Sequence, residues 1–565
     1  MKLQEEIISK IKSSLPEVSE DEIRLNRPTD TSHGDFTTNV AMVAAKKLGK
    51  KPLDLASELK SQLQNIDGVE KVEVATPGFI NFFVAKTGLL DNLSEILEKG
   101  EDYGKSETNK GKKVVVEYSS PNIAKPFTVG HLRSTIIGDA VANLLKATGW
   151  EVHRDNHIGD WGTQFGKQIY AIKAWGDEDE IEKAANPVKE LVALYVKFHE
   201  EAEKNPDLED EARVWFKRLE DGDAEAKRLW QKCVEWSMKE FKRLYEMLNV
   251  SFETEYGESF FEDKMGEVIQ ELKEKKLLKK DKGAELVFFE NDKLPPLMIL
   301  KSDGATLYAT RDLATDKFRL ATYGGDVVII NEVGAEQSLY FRQLFEIEKM
   351  LSWVKDGQRI HVGHGLYRFK DQKMSTRKGN TIWLEDILNM AFEKAHQIAM
   401  EEGVDESGVG KTTTQKVAIG AMKWNDLKRN HIQDIVFDFD EILNMQGNSG
   451  PYVQYTYARA QSVLRNSQLT THNSQLEQDL ENEELEIIRM LGKFSEVVEE
   501  AGKSFSPNLL ANYLFELSQK FNLFYQKHKI IGGDKEEFRL ALTKAVGQVI
   551  KNGLYLLGIE SPEKM

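Results

Sequence analysis

Cysteine is nearly absent from this chain. Cys233 is the one thiol among 565 residues, which rules out an intramolecular disulfide and any cysteine-rich zinc site and leaves an ordinary free thiol. Long apolar runs are missing as well: no stretch approaches the roughly 20 residues that span a bilayer. The opening MKLQEEIISKIKSSLPEV carries acids where a secretory leader needs an unbroken apolar core, and Leu3, Ile7, Ile8, Ile11 and Leu15 instead form the stripe of an amphipathic helix. A cytoplasmic chain with no membrane partner and no resident metal is expected, and a monomer. No repeat exceeds the tetrapeptide NSQL at 466–469 and 473–476, so a solenoid is excluded. An excess of positive charge is also lacking, the net charge being -17. That weighs only weakly against a nucleic-acid partner. Acid is concentrated at Asp177–Glu182 and Glu477–Glu486, while Lys46, Lys47, Lys50, Lys51 and the lysines of 273–282 form either a local basic track or plain solvated helix faces.

What is present is the composition of a soluble globular protein, 40% hydrophobic and 30% charged, long enough for three or four domains. Residues 1–108 read as a small α+β unit closed by the polar stretch Gly100–Lys112. KKVVVEYSSPN then has the continuous apolar run of a buried parallel strand. LRSTIIGDAVANLLKATG is a helix ending at Gly149, WEVHRDNH a second strand and GTQFGKQIYAIKAW a second helix. Strand–helix–strand–helix opens a doubly wound α/β domain, expected over 109–385. Residues of about 172–285 read as a charged helical insertion without strands. The α/β pattern is expected to resume with AELVFFE, LPPLMIL, the helix around YATRDLATDKFRLA and the strand DVVIINEV. A connecting helical region over 386–440 and a helical domain over 441–565 complete the expected order.

DESGVGKTTT imitates a phosphate-binding P-loop, but the position that needs glycine is Asp405 and a helical pattern precedes it, so that reading is rejected. Three tetrapeptides imitate the nucleotide-binding HIGH signature: TVGH (128–131), HIGD (157–160) and HVGH (361–364). Spelling favours the last. Context favours the first, because only SSPNIAKPFTVGHLRSTIIGDA places strand, Pro-bearing loop, Gly-His and helix in that order. A histidine can then donate toward phosphates at a helix N-terminus. A second cationic loop, KMSTRKGN (373–380), crowds Lys373, Arg377 and Lys378 and suits a pyrophosphate leaving group.

With VVVEYSSPNIAKPFTVGHLRSTIIGD, HIGDWGTQFG, LYATRDLAT, KMSTRKGN, GNSGPYVQYTYARAQSV and LGIESPEKM in hand, the chain resembles the class I arginyl-tRNA synthetases along nearly its full length. The resemblance implies a Rossmann-type parallel-sheet catalytic domain with a helical insertion. It also implies a small α+β N-terminal domain that contacts tRNA and an all-helical C-terminal anticodon-binding domain. It further implies ATP with accompanying Mg²⁺, L-arginine and tRNA(Arg) as reactants, and arginine activation that requires bound tRNA. Thr128, Gly130, His131, Lys373, Met374 and Ser375 then fall at the ATP site. Two positions depart from the class pattern: Thr128 replaces the first HIGH histidine and Thr376 the second lysine of the cationic loop. Lys125 stands where the family is thought to compensate, so His131, Lys125 and Lys373 carry the expected catalytic roles.

Arginine presents a planar fork of donors, for which carboxylates are the natural receivers. Glu117 ends the Val114–Val116 strand, and a buried glutamate without a partner would be costly, which a cationic ligand would explain. Tyr308 and Asp312, four residues apart, share a helix face. By resemblance Glu117, Tyr308 and Asp312 surround the guanidinium, with Asn122 and Gln337 nearer the backbone end. Tyr452, Tyr455, Tyr525 and Met565 fall at the tRNA-binding positions, where aromatic rings can stack on splayed bases.

Overall fold

The computed structural model describes residues 2–28, 30–290, 293–368, 383–401, 411–444, 447–467 and 480–565. The N-terminal part is an antiparallel sheet of β1 (Leu25–Asn26), β2 (Phe36–Thr38), β3 (Val69–Ala75) and β4 (Phe79–Val84), ordered β1-β2-β4-β3. Helices Lys2–Ser14, Val40–Leu48 and Pro52–Leu63 cover one face of it. Ile7, Ile11 and Leu15 of the N-terminal stripe are buried there. Gly34 has φ +90° and a Cβ on it would stand 2.6 Å from the Phe82 carbonyl, so the close approach of β2 to β4 needs glycine.

The second sheet is parallel: β5 (Lys113–Glu117), β6 (Glu151–Asp155), β10 (Val328–Gly334) and β11 (Arg359–His364), ordered β11-β10-β5-β6. Chain order reverses between β5 and β10, and a cleft is expected at the carboxyl ends of those two strands. Helix Gln164–Trp175 follows β6, and four helices between Glu178 and Met247 belong to the insertion, three of them capped by Asp177, Asn186 and Asp223, whose side chains accept two backbone N–H groups each.

One expectation fails here. AELVFFE and LPPLMIL do not rejoin the parallel sheet. They form β8 (Ala284–Val287) and β9 (Leu297–Leu300), which with β7 (Leu278–Asp281) make an antiparallel meander. β7 also places a strand inside the stretch expected to be helical. The reason is the turn: Lys282 and Gly283 both have positive φ (47° and 88°) between the paired Asp281 and Ala284. A two-residue turn of that hand joins antiparallel strands and cannot make a parallel crossover.

Beyond residue 383 the regular elements of the described residues are helices, apart from β13 (Ile435–Val436), which pairs in parallel with β12 (Tyr367–Arg368). The helix Val129–Ala147 that follows β5 is buried along most of its length and packs on helices Lys411–Leu427, Phe494–Lys503, Pro507–Lys527 and Glu536–Leu556. The α/β and helical parts therefore share one core, which Leu90, Leu93 and Ile96 of helix Lys86–Lys99 also join.

Candidate functional site

The cleft lies where the topology places it, at the ends of β5 and β10, with a volume of about 540 Å³. Glu117, Asn122, Thr128, Gly130, His131, Tyr308, Asp312 and Gln337 all line it. These residues span 220 positions of sequence and reach one space through five elements: the β5 end, the loop after it, the start of helix Val129–Ala147, helix Tyr308–Tyr323 and the turn after β10.

The loop from β5 is held by donated side-chain partners. Ser119, Ser120 and Ala124 take positive φ (74°, 45° and 57°), an unfavourable choice for residues with a Cβ. Their N–H groups donate to Ser134 Oγ, Asn156 Oδ1 and Ser237 Oγ at 2.9, 3.1 and 3.0 Å. The HIGD segment, rejected as a nucleotide motif, supports this loop: Gly159 N–H donates to the Pro121 carbonyl and Ile123 N–H to the Gly159 carbonyl. A Cβ on Gly159 would come within 2.5 Å of Asn122 Oδ1.

Thr128 caps the helix, and its N–H donates to His131 Nδ1 at 3.0 Å. Because Nδ1 accepts, the neutral ring carries its proton on Nε2. His131 retains some exposure to the cleft but lies deep in the protein. Desolvation first, then the nearby charge of Lys125, pushes its pKa down to about 4. His131 is therefore a neutral donor at pH 7 and supplies no charge of its own. Lys125 does not line the cleft; burial lowers its pKa while Glu258 opposes that shift. Gly130 is exposed in the first helical turn, and among the described residues a Cβ there would meet only Thr128 Oγ1, at an ordinary 3.5 Å. The fold itself does not require glycine at 130, so a requirement there comes from a ligand. Gly130→Ala is expected to leave Tm unchanged and raise the ATP KM at least ~10-fold, as intrusion into a tight contact would. A lowered Tm with normal ATP KM would contradict this.

At the other end of the cleft Glu117 departs from the sequence expectation. It is not partnerless: Arg319 Nη2 lies 2.6 Å from its Oε2, and Asn331 Nδ2 donates to the same oxygen at 3.0 Å. The contacts form a closed buried ring. Arg319 Nη1 donates to Asp316 Oδ1 (3.1 Å), and Arg359 Nη2 donates to Asp316 Oδ2 (2.5 Å) and to Asn331 Oδ1 (3.2 Å). Asp155, beside Glu117 in the sheet, also receives Arg319, at 3.0 Å from Nε. A buried arginine shared among three carboxylates fixes their positions. It leaves Glu117 Oε1 without a hydrogen bond among the described residues.

Asp312 sits one helical turn from Asp316, accepts a hydrogen bond from Tyr340 Oη and faces the cleft. Burial raises its pKa to about 6, with His157 and the Tyr340 hydrogen bond opposing. The Tyr308 ring is 57% exposed and stands 5.0 Å from that of Tyr340. The lining carries Glu117, Glu258, Asp312, Asp316, Glu332 and Glu336 and, among the described residues, the one guanidinium of Arg319, with Arg359 and Arg311 reaching Asp316 and Glu258 from outside it. Such a cleft favours a cation.

In the helical domain Tyr455 and Tyr525, each 41% exposed, flank Arg459, whose guanidinium carbon lies 4.8 and 4.9 Å from their ring centres. Tyr452 turns inward against Phe515, with ring centres 5.4 Å apart. Met565 is half-buried at the chain end.

Three sequence profiles cover the chain: the N-terminal domain of arginyl-tRNA synthetase over 1–84, the class I (R) tRNA synthetase catalytic domain over 92–439, and the DALR anticodon-binding domain over 453–565. An arginine–tRNA ligase of Clostridium perfringens is 43% identical over 95% of both chains, and one of Clostridioides difficile 40% over 98% of both. The chain belongs to the arginyl-tRNA synthetase family. The crystal structure of arginyl-tRNA synthetase from Plasmodium falciparum matches 100% of the chain and 98% of its own, with a TM-score of 0.83 and 27% identity.

Of the remaining expected site residues, Lys373, Met374, Ser375 and Thr376, with the whole KMSTRKGN loop, lie outside the described residues, as do most positions of the rejected P-loop. HVGH at 361–364 is the end of a strand, and no helix opens at its histidine. His361 stacks on Phe341 at 4.7 Å and stays out of the cleft. His364 enters it: burial would lower its pKa, but Glu332, 2.7 Å away, outweighs that and raises it. Sequence reasoning set aside His157 and His364 with their HIGH-like tetrapeptides, although both line the cleft, and missed Arg319, Asn331, Tyr340 and Arg459. Of those missed, Arg459 carried a usable signal, since it follows Tyr455 by four residues and so shares its helix face.

Proposed function

We propose that this chain activates L-arginine with ATP and transfers it to the terminal adenosine of tRNA(Arg). The observation that carries the arginine reading is the paired carboxylates of the cleft. Glu117 is pinned through Oε2 with Oε1 left over, and burial pushes the Asp312 carboxyl up to about 6, with the neighbouring acids Glu117 and Asp316 adding to the rise. A substrate guanidinium supplies donors for the remaining Glu117 oxygen and a cation beside Asp312, as a planar fork and not as a point charge. By resemblance Tyr308 joins them around the guanidinium, while Asn122 and Gln337 are assigned to the backbone end of the amino acid.

In the first step a carboxylate oxygen of arginine attacks the α-phosphorus of ATP, the bond to the bridging oxygen breaks, and pyrophosphate leaves. In the second the ribose 2′-hydroxyl attacks the activated carbonyl and AMP leaves. No side-chain nucleophile is needed, since positioning and charge stabilisation suffice. His131 Nε2–H and the free N–H groups of the helix end donate toward phosphate oxygens, with the Lys125 charge behind them. Lys373, Met374 and Ser375 are assigned to the leaving pyrophosphate by resemblance, and Mg²⁺ accompanies ATP. Thr128→His is expected to change the exchange rate by less than ~3-fold, because the backbone of residue 128 already orients His131; a larger gain would show that threonine limits the enzyme.

Tyr455, Arg459 and Tyr525 form the proposed tRNA-facing cluster, with Met565 close to the anticodon loop and Tyr452 a packing residue behind it. Tyr525→Ala should raise the tRNA KM ~5- to 100-fold, the range for a lost base stack, with arginine and ATP KM unchanged. An unaltered tRNA KM would remove the cluster from the interface. The chain is taken to act as a cytoplasmic monomer, for which light scattering should return about 64.4 kDa. The rival substrate is lysine. It is separated from arginine by one assay: charging of total tRNA with each amino acid in turn.

A further inference from the structure

A buried lysine outside the cleft joins the chain terminus to the helix that carries His131. Lys423, only 1% exposed, donates from Nζ to the Gly558 carbonyl at 2.6 Å. Gly558 follows helix Glu536–Leu556 with φ +66°, and the N–H groups of Gly558 and Ile559 return to Tyr555 and Leu554. A Cβ on Gly558 would stand 2.6 Å from Asp139 Oδ2 and 3.0 Å from Lys423 Nζ. The glycine is therefore wedged between the two charged groups. Asp139 is buried on helix Val129–Ala147, eight residues and about 12 Å of rigid helix beyond His131.

The next residues of the tail reach the opposite way. Gln454, fully buried, donates from Nε2 to the Glu560 carbonyl at 2.7 Å and to the Lys416 carbonyl at 3.2 Å, and Lys416 pairs with Glu560 at 2.7 Å. Gln454 directly precedes Tyr455 on helix Gly450–Asn466. One short tail segment thus touches the helix that bears Tyr455 and Arg459, the helix of Lys423 and, at Gly558 beside Asp139, the helix of His131. The hydrogen bond that holds this fully buried ammonium is made to the tail, and the negative charges that act on it are those of Asp139 and then Glu560 of the tail.

We propose that Lys423 is a positioning residue, and that the Lys423–Gly558–Asp139 junction couples the tRNA-facing cluster at Tyr455 and Arg459 to the His131 helix. This rests on the reading of the chain as an arginine–tRNA ligase. Because that helix is buried along most of its length, displacement at Asp139 moves His131 with it and is not absorbed locally.

The test is charging kinetics of the full chain with intact tRNA(Arg) and with the same tRNA carrying substituted anticodon bases. In Lys423→Met, kcat on intact tRNA should fall roughly 3- to 30-fold, the scale of single-residue effects on coupling. The kcat ratio between the two tRNAs should collapse toward one while the ratio of their dissociation constants stays as in the unsubstituted chain. A structural defect would lower kcat on both tRNAs alike and leave the kcat ratio intact, and that result overturns the proposal, as does normal kcat. If Lys423→Met fails to fold, Gly558→Ala and Asp139→Asn carry the same readout. Failure of the unsubstituted chain to charge tRNA with arginine would instead defeat the underlying assignment.

Discussion

Asp312→Asn is expected to raise the arginine KM by about 100-fold, with the ATP KM unchanged within a factor of two. Removing one charge from an enclosed pair costs roughly 3 kcal/mol, which corresponds to that factor. The substitution keeps the volume and the contact with Tyr340, so the fold should tolerate it. The pH dependence gives an independent check. Without substrate the Asp312 pKa is raised to about 6, chiefly by burial. A guanidinium alongside favours the carboxylate and lowers that pKa. Arginine binding is then strongest above pH 6 and weakens as pH falls through 6, by at most tenfold per unit. In Asp312→Asn this slope should vanish. An unchanged arginine KM, or a slope that persists, would remove Asp312 from the pocket.

The second large effect is expected at His131. His131→Ala should reduce arginine-dependent ATP–pyrophosphate exchange, measured with tRNA present, at least ~10-fold, and Lys125→Ala similarly. The two residues act differently, and pH separates them. His131 has its pKa pushed down to about 4, so its charge does not change between pH 6 and 8. His131→Gln should keep part of the rate, since an amide N–H can replace a neutral Nε2–H donor. A rate that requires a protonated imidazole, falling between pH 6 and 8 in the unsubstituted chain but not in His131→Gln, would contradict the neutral-donor role. Unchanged exchange in both alanine variants would contradict the whole placement of the ATP site.

How much of the molecule is readable from sequence depends on the distance over which each feature is determined. The His131 cap is local: strand end, loop with proline, Thr, Gly, His and helix all lie between Glu117 and Ala140, and order alone separates TVGH from the better-spelled HVGH. The parallel sheet is likewise readable from continuous apolar runs. The β7–β8 hairpin is not, although Lys282-Gly283 is a turn signal, because a charged lysine run masks the strand before it. Glu117 shows the sharper limit. Its strand-end burial is visible, but its partner Arg319 lies 202 positions away and meets it only through the sheet register and helix Tyr308–Tyr323. The inference of a ligand from an unpaired acid was therefore wrong in its premise. What the structure substitutes is a pinned carboxylate with one oxygen left over, beside a second acid with a raised pKa. For tRNA, sequence alone treats Tyr452, Tyr455 and Tyr525 alike, and packing against Phe515 is what sets Tyr452 apart.

The central claim is that this chain selects arginine. Purified protein, ATP, magnesium and total tRNA, supplied with each of the twenty amino acids separately, tests it in one measurement. Acid-precipitable charging is expected with arginine alone, and none above background with lysine. Charging with lysine or any other amino acid, or no charging with arginine, would contradict the claim.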